Sequence, residues 1–200
     1  GTSFIEDALA VKKRDRDLYD HEYVSIPVGY GTDVFKNLEI REINDEEVNR
    51  FDNVVGGLDW GFADDPFAYT RSHYDSRTRI LYIFDELVGT NLLNREVTSF
   101  ISGKIANNPR ELIVADSAEP KSIAELADLG LNIIGAKKGN GSVETGTKFL
   151  QELNGIVIDP VRCPVAAKEF ATAEFEVDKN NNVLPRVKDE NNHTSDGIRY

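Results

Sequence analysis

The chain has 200 residues, of which 40% are hydrophobic and 29% are charged, and its formal net charge is −12. These values are typical of one globular domain with a real core. They exclude a surface that binds nucleic acid through bulk attraction, because such surfaces carry an excess of lysine and arginine.

The first quarter of the chain has the composition of a connecting segment. Residues 4–23 are helical in character but too polar to form a core. Residues 26–52, with Pro27, two glycines and the acidic run 45–47, favour a loop and an irregular edge. We therefore expect a linker over residues 1–52 and a domain over residues 53–200.

Three strands are predicted next, at 54–60, 67–74 and 79–88, and a tight turn at 75–77 joins the last two. Helices and short apolar strands then alternate. The helices are predicted around 97–105 with Pro109 closing the first, from Pro120 to Gly130, over 142–153 and over 164–175; the strands are predicted at 112–115, 132–136 and 156–158. Short apolar strands between helices are typical of parallel strands covered on both faces. The fold class is therefore α/β, with a mixed sheet in which a three-strand antiparallel meander precedes parallel strands.

The end of the chain predicts a hairpin and a last helix. Residues 174–178 and 183–187 flank a turn-rich stretch, and Pro185 suggests that their hairpin is an exposed edge. Residues 193–200 then begin a helix.

Two carboxylates end apolar strands of the predicted sheet. Asp59 follows VVGGL and Asp116 follows LIVA. Ligands of open parallel sheets gather at the carboxyl ends of the strands, so these side chains would face each other if the two strands are neighbours. Two like charges so close favour a bound cation, and oxygen ligands suit Mg²⁺ or Mn²⁺.

A third acid, Asp196, lies in the last helical segment, three residues after His193. That spacing places both side chains on one face of a helix. Together with Asp59 and Asp116 they would form a site of the kind that binds two metal ions for phosphodiester cleavage.

Each of these residues also has a simpler interpretation. Asp59 could accept hydrogen bonds from turn amides, and Asp116 could cap the following helix. Asp196 could complement the helix dipole, with His193 a solvated neighbour. Asp64 and Asp65 indicate a solvated turn, although they lie near enough to Asp59 to support it.

Two other motifs point elsewhere. The segment 141–148 resembles a phosphate-binding loop, but Thr147 precedes Lys148, the reverse of the order that places the lysine on phosphates. The sequence Asp59-Trp60-Gly61 matches a phosphate motif of actin-like ATPases, which need a second domain and an adenosine motif that are not evident.

The remaining features bear on the cellular setting. The sequence contains no apolar run long enough to span a bilayer and no leader or lipidation signal, so we expect no membrane association and an intracellular protein. The single cysteine, Cys163, is expected to be a free thiol. The absence of methionine suggests a piece of a longer chain.

Several phrases together resemble the C-terminal nuclease domain of the large terminase subunit of tailed, headful-packaging bacteriophages. They are GLDWGFADDPFAY, IVADSAEPKSIAEL, AKKGNGSVETGTKFLQEL, IVIDPVRCP and EFEVDKNNNVLPRVKDENNHTSDGIRY. The entry segment DRDLYDHEYVSIPVGYGTDVF resembles the linker to the packaging ATPase. The resemblance covers nearly the whole chain.

The resemblance implies an RNase H-like fold, of the resolvase and integrase type, and a metal-dependent endonuclease that cuts concatemeric double-stranded DNA when packaging starts and ends. It implies that Asp59, Asp116 and Asp196 are ligands of Mg²⁺ or Mn²⁺, with two ions when DNA is bound. His193 would be a ligand or a proton handler, and the hairpin at 174–188 would lie near the site.

The resemblance also implies partners in the host cytoplasm during virus assembly. These are the ATPase domain of the full-length chain, the small terminase subunit, and the portal of the procapsid. Such partners would hold the DNA, because an acidic domain attracts it weakly. Local phosphate contacts are expected from five basic residues, Lys121, Lys137, Lys138, Arg186 and Lys188.

Three other functions are compatible with the pattern. The chain could be another RNase H-like nuclease, such as a resolvase. It could also be a fragment of an actin-like ATPase, or a non-catalytic domain that docks on the procapsid.

Overall fold

The structure is a computed structural model that describes residues 32–61, 65–190 and 192–200. The helix predicted over 4–23 and the acid Asp64 lie outside these ranges. The strands are β1 (Leu38–Ile40), β2 (Val54–Asp59), β3 (Phe67–Asp75), β4 (Ile80–Gly89), β5 (Leu112–Ala115), β6 (Ile133–Gly135), β7 (Gly155–Ile158), β8 (Phe175–Val177) and β9 (Val183–Val187). The helices are α1 (Asp45–Val48), α2 (Asn94–Lys104), α3 (Pro120–Asp128), α4 (Ser142–Gln151), α5 (Pro164–Thr172) and α6 (His193–Arg199).

Seven strands form one mixed sheet in the order β1-β7-β4-β3-β2-β5-β6. The central strands β2, β3 and β4 are an antiparallel meander. The outer strands pair in parallel with their neighbours, β5 with β2 and β7 with β4. The predicted mixed α/β sheet is therefore confirmed, and so is the separate β8–β9 hairpin.

The two faces of the sheet bury different sets of apolar side chains. On one face, Val97 and Ile101 of α2 and Ile105 at its C-cap pack with Leu58 and Ile113 of the sheet. The other face packs the β4 and β7 side chains against α4 and α5, including the fully buried Phe170 of α5. Fully burying an apolar side chain of this size contributes roughly 1.5–3 kcal/mol, so both layers stabilise the fold substantially.

The segment before residue 53 contributes to this sheet. The sequence predicted an irregular edge here, whereas Leu38–Ile40 pairs in parallel with β7 and Asp45–Val48 forms a single helical turn. Three residues, of which only Leu38 and Ile40 are half-buried, carry too little periodicity to indicate a strand, and their pairing depends on β7, more than a hundred residues later.

Two predicted helices end earlier than expected. Helix α2 stops at Lys104 rather than near Pro109. Helix α5 stops at Thr172, because Ala173 is extended and its carbonyl accepts a hydrogen bond from the Val34 amide at 3.0 Å. Across the described ranges, no helix has the length and apolarity that crossing a membrane requires.

Candidate metal centre

Asp59 and Asp116 lie side by side at one edge of the sheet. Their strands, β2 and β5, are parallel neighbours with Leu58 opposite Ala115. The Asp116 amide donates to the Leu58 carbonyl at 2.9 Å, and the Trp60 indole donates to the Asp116 carbonyl at 2.7 Å. Backbone and indole hydrogen bonds thus tie the ends of the two strands together, where Asp59 is the last residue of β2 and Asp116 directly follows β5.

Helix α6 lies directly on β2 and brings its own side chains to the same edge. The contact involves two glycines, since a Cβ built on Gly57 would lie only 2.1 Å from the Gly197 carbonyl oxygen. At this distance the helix carries His193 to Asp59, with 3.3 Å between His193 Nδ1 and Asp59 Oδ2. Asp196 lies about one helical turn after His193, and the negative charge of Asp59 contributes to raising its pKa.

A buried acid fixes the start of this helix. Glu169 of α5 is 6% exposed, and its carboxylate accepts hydrogen bonds from the Thr194 amide, at 2.8 Å, and from the Thr194 hydroxyl. These bonds satisfy donors that the first turn of a helix leaves unpaired. Glu169 therefore positions His193 and Asp196 without reaching the edge of the sheet itself.

Tyr200 lies between the two strand-end acids. Its hydroxyl is 3.3 Å from Asp59 Oδ1 and 3.3 Å from Asp116 Oδ2. A hydroxyl carries one proton, so it can donate to only one of the two carboxylates at a time. Tyr200 was not among the residues predicted from the sequence, although its spacing after His193 and Asp196 places all three on one helical face.

Basic side chains of the same domain pair with the other two acids. Lys138 Nζ lies 2.7 Å from Asp116 Oδ1 and 4.8 Å from the centre of the Tyr200 ring. The Arg199 guanidinium contacts the Asp196 carboxylate. Within the described ranges, no three acidic, histidine or cysteine side chains converge closely enough to hold a metal ion as they stand.

The pKa values show how unevenly the negative charge is compensated. Burial raises the pKa of Asp59, and the charge of Asp116 adds to this while His193 opposes it. Burial also raises the pKa of Asp196, to about 6, against the opposing effect of Arg199. At Asp116 burial acts upward too, but hydrogen bonds from Lys138 and the Ala118 amide outweigh it, so the pKa lies below its ordinary value.

The donor set suits a hard divalent ion. Asp59, Asp116 and Asp196 offer carboxylate oxygens, which Mg²⁺ and Mn²⁺ prefer, and no thiol lies near them. The raised pKa values of Asp59 and Asp196 mark negative charge that a cation would stabilise. The Tyr200 hydroxyl and the Lys138 ammonium now take the carboxylate oxygens that such an ion would need.

Asp196→Asn is expected to raise the free energy of unfolding of the metal-free protein at pH 7 by about 1–3 kcal/mol. The pKa of Asp196 in the folded protein, about 6, lies above its ordinary value of 3.8, so folding favours the protonated acid. The wild-type protein therefore loses stability as the pH rises from about 4 to about 6, and asparagine removes that loss. Urea unfolding in EDTA at pH 4 and pH 7 measures it; an equal effect at both pH values would contradict the assignment.

The simpler interpretation of Asp116 does not describe the structure. Helix α3 begins at Pro120 with Glu119 as its N-cap residue, and the Asp116 side chain accepts from the Ala118 amide at 2.9 Å instead. Asp65 is exposed, as expected for a solvated turn. Cys163 is a buried free thiol, as predicted.

The five predicted phosphate contacts are not gathered in one place. Lys138 reaches the acids, while Lys188 pairs with Glu174 inside the hairpin. Lys121 on α3, Lys137 after β6 and Arg186 on β9 are exposed. Of these five basic residues, only Lys138 contacts an acid of the candidate site.

The chain resembles proteins of known identity. A family model described as "Terminase RNAseH like domain" matches residues 59–200. The large terminase subunit of Bacillus phage SPP1 is 45% identical over 202 residues, which cover 99% of this chain. The chain spans 47% of the length of that protein.

Solved structures give the same result. The nuclease domain of the SPP1 large terminase, crystallised with bound Mn, has a TM-score of 0.77 and 44% identity, covering 83% of this chain and 95% of the other. The nuclease domain of the P22 large terminase has a TM-score of 0.57 at 15% identity, covering 86% and 91%. The second match speaks for the fold alone, and together they confirm the RNase H-like fold that the sequence implied.

Proposed function

Because the chain belongs to the family of terminase RNase H-like domains, we propose that it is a metal-dependent endonuclease that cleaves concatemeric double-stranded DNA with little sequence specificity. Cleavage would start and end the packaging of a viral genome. The observation that carries the proposal is the meeting of acids from β2, β5 and α6 at one edge of an RNase H-like sheet. The similarity to a nuclease domain with bound Mn supports it.

In this proposal Asp59, Asp116 and Asp196 hold two ions, Mg²⁺ or Mn²⁺. Bound ions of this kind supply an activated water and stabilise the leaving oxygen of a phosphodiester. Asp59 and Asp116 are fixed by the strand ladder, so their oxygens stay in register with each other. Asp196 comes from a helix whose position depends on the contact between Gly57 and Gly197.

His193 has a separate role in the proposal. Its Nδ1 atom lies 3.3 Å from the Asp59 carboxylate, within reach of a weak hydrogen bond. The ring can therefore orient Asp59, or accept a proton at the edge of the site, where 22% of its side chain is exposed. An imidazole is suited to this because one ring nitrogen can donate a hydrogen bond while the other accepts.

The surface charge explains why this domain would need partners. A formal charge of −12 repels DNA, so Lys121, Lys137, Lys138, Arg186 and Lys188 would provide only local phosphate contacts. We propose that residues 1–52, whose later part adds β1 and α1 to this domain, connect it to an ATPase domain of the same full-length chain. That domain, the small terminase subunit and the portal of the procapsid would hold the duplex in the host cytoplasm.

Supercoiled plasmid incubated with the domain and Mn²⁺ or Mg²⁺ is expected to become nicked and then linear, because the site cuts phosphodiesters without reading bases. EDTA should stop the reaction. Agarose electrophoresis over time measures both. A folded sample that leaves plasmid intact with either metal would favour a non-catalytic docking role, and cleavage confined to four-way junctions would favour a resolvase.

A further inference from the structure

We propose that Lys138 is an intramolecular competitor for the divalent ion at Asp116. In the metal-free protein its ammonium neutralises this acid, and an arriving ion must displace it. The inference rests on the proposed metal-dependent function, and it assigns Lys138 a task beyond contact with DNA phosphates.

Lys138 occupies the carboxylate oxygen of Asp116 that a metal ion would need. Its ammonium lies 2.7 Å from Asp116 Oδ1, while the Tyr200 hydroxyl lies 3.3 Å from Oδ2 of the same carboxylate. The ammonium also sits 4.8 Å from the centre of the Tyr200 ring, a distance at which a cation and an aromatic ring attract. Lys138 and Tyr200 therefore cover Asp116 as one unit.

Lys138 is exposed enough to leave Asp116. Its side chain is 42% exposed, whereas that of Asp116 is 15% exposed. Lysine carries its charge on a flexible four-carbon stem and hydrates readily, so solvent can take over the ammonium when the pair opens. A cation that is held firmly would block the site, while one that is partly solvated only raises the metal concentration needed.

The other cation at the site differs in this respect. Arg199 contacts Asp196, but its side chain is 8% exposed and its stem packs beside Gly146 of α4. Arginine is better suited than lysine to buried ion pairs, because its planar guanidinium is weakly hydrated and water competes less for it. Of the two ion pairs, the one formed by Lys138 is therefore the one that opens.

Lys138→Gln is expected to tighten Mn²⁺ binding in the absence of DNA by roughly threefold to tenfold, since it removes one charge-assisted contact at a partly exposed site. Isothermal titration with MnCl₂ measures the affinity. The matched control is Lys137→Gln, which removes the same charge from the neighbouring position. Lys137 forms no ion pair with any residue that the structure describes, so its variant reports the long-range effect of charge alone.

Thermal unfolding gives a second readout that does not depend on cleavage. Without metal, Lys138→Gln should melt at a lower temperature than the wild type, because Asp116 loses its partner. With saturating Mn²⁺ the two proteins should melt together, since the ion has already displaced the lysine from the wild type.

Equal or weaker Mn²⁺ binding by Lys138→Gln, relative to both the wild type and Lys137→Gln, would overturn the competition while leaving the nuclease proposal intact. A folded wild-type protein that binds no Mn²⁺ and cuts no plasmid would overturn both. Tighter binding by the Lys138 variant alone supports the competition, whatever its cleavage rate.

Discussion

Asp59→Asn is expected to lower the rate of plasmid cleavage by roughly a thousandfold or more, which corresponds to losing several kcal/mol of transition-state stabilisation. Asparagine keeps the shape of the side chain but removes the charge that would hold a divalent ion. Asp59 is 9% exposed, and its backbone is fixed in the ladder between β2 and β3, so the substitution changes the charge at a defined position. Cleavage rates with Mn²⁺ and with Mg²⁺, each compared with the wild type, measure the effect.

The same substitution should leave the fold intact. Burial and the nearby Asp116 already raise the pKa of Asp59, so a neutral side chain removes an unfavourable charge from the metal-free protein. Asp128→Asn is the matched control, because Asp128 ends α3 in an exposed position and the substitution changes the net charge equally. Undiminished cutting by Asp59→Asn would show that Asp59 is not part of the active centre.

The sequence predicted the elements whose signal is local. Strand β5 matches its predicted bounds, because LIVA is apolar throughout and Asp116 ends it. Strand β2 ends at Asp59, one residue before its predicted end, because its apolar run is also recognisable locally. From the sequence, the pairing of these two strands was only a condition for Asp59 and Asp116 to face each other. The structure shows that β2 and β5 do pair in parallel.

Other residues of the site depend on contacts that no local pattern carries. Nothing in the local sequence distinguishes Glu169 from an exposed acid on a helix. In the structure it is buried where α5 meets the start of α6. Lys138 was predicted as a phosphate contact, since only the folded chain shows Asp116 beside it. Asp196 and His193 were placed on one helical face by their spacing, but their approach to Asp59 depends on two glycines 140 residues apart. Their roles as ligands stay predictions.

Gly57→Ala is expected to destabilise the domain by about 3 kcal/mol or more and to slow cleavage by roughly a hundredfold, although every acid of the site remains. The added Cβ would lie 2.1 Å from the Gly197 carbonyl oxygen and 2.6 Å from its carbon. Both atoms belong to the backbone of α6, so the clash can be relieved only by moving the helix off β2. His193 and Asp196 would then move away from Asp59. Urea unfolding and plasmid cleavage measure the two effects.

Two further glycine substitutions test whether the loss of stability and of cleavage comes from the contact between α6 and β2. A Cβ on Gly197 would meet β2 at 3.3 Å, so Gly197→Ala should have the same effects on a smaller scale. At Gly103 of α2, a Cβ would have no neighbouring atom within 4 Å, and alanine there should stabilise the protein by about 0.5–1 kcal/mol. Helix α6 brings Asp196 to Asp59 and Asp116 on the sheet. We therefore expect the cleavage rate to fall most in Gly57→Ala, less in Gly197→Ala and not at all in Gly103→Ala. A Gly57→Ala protein that cuts at the wild-type rate would show that the position of α6 does not limit catalysis.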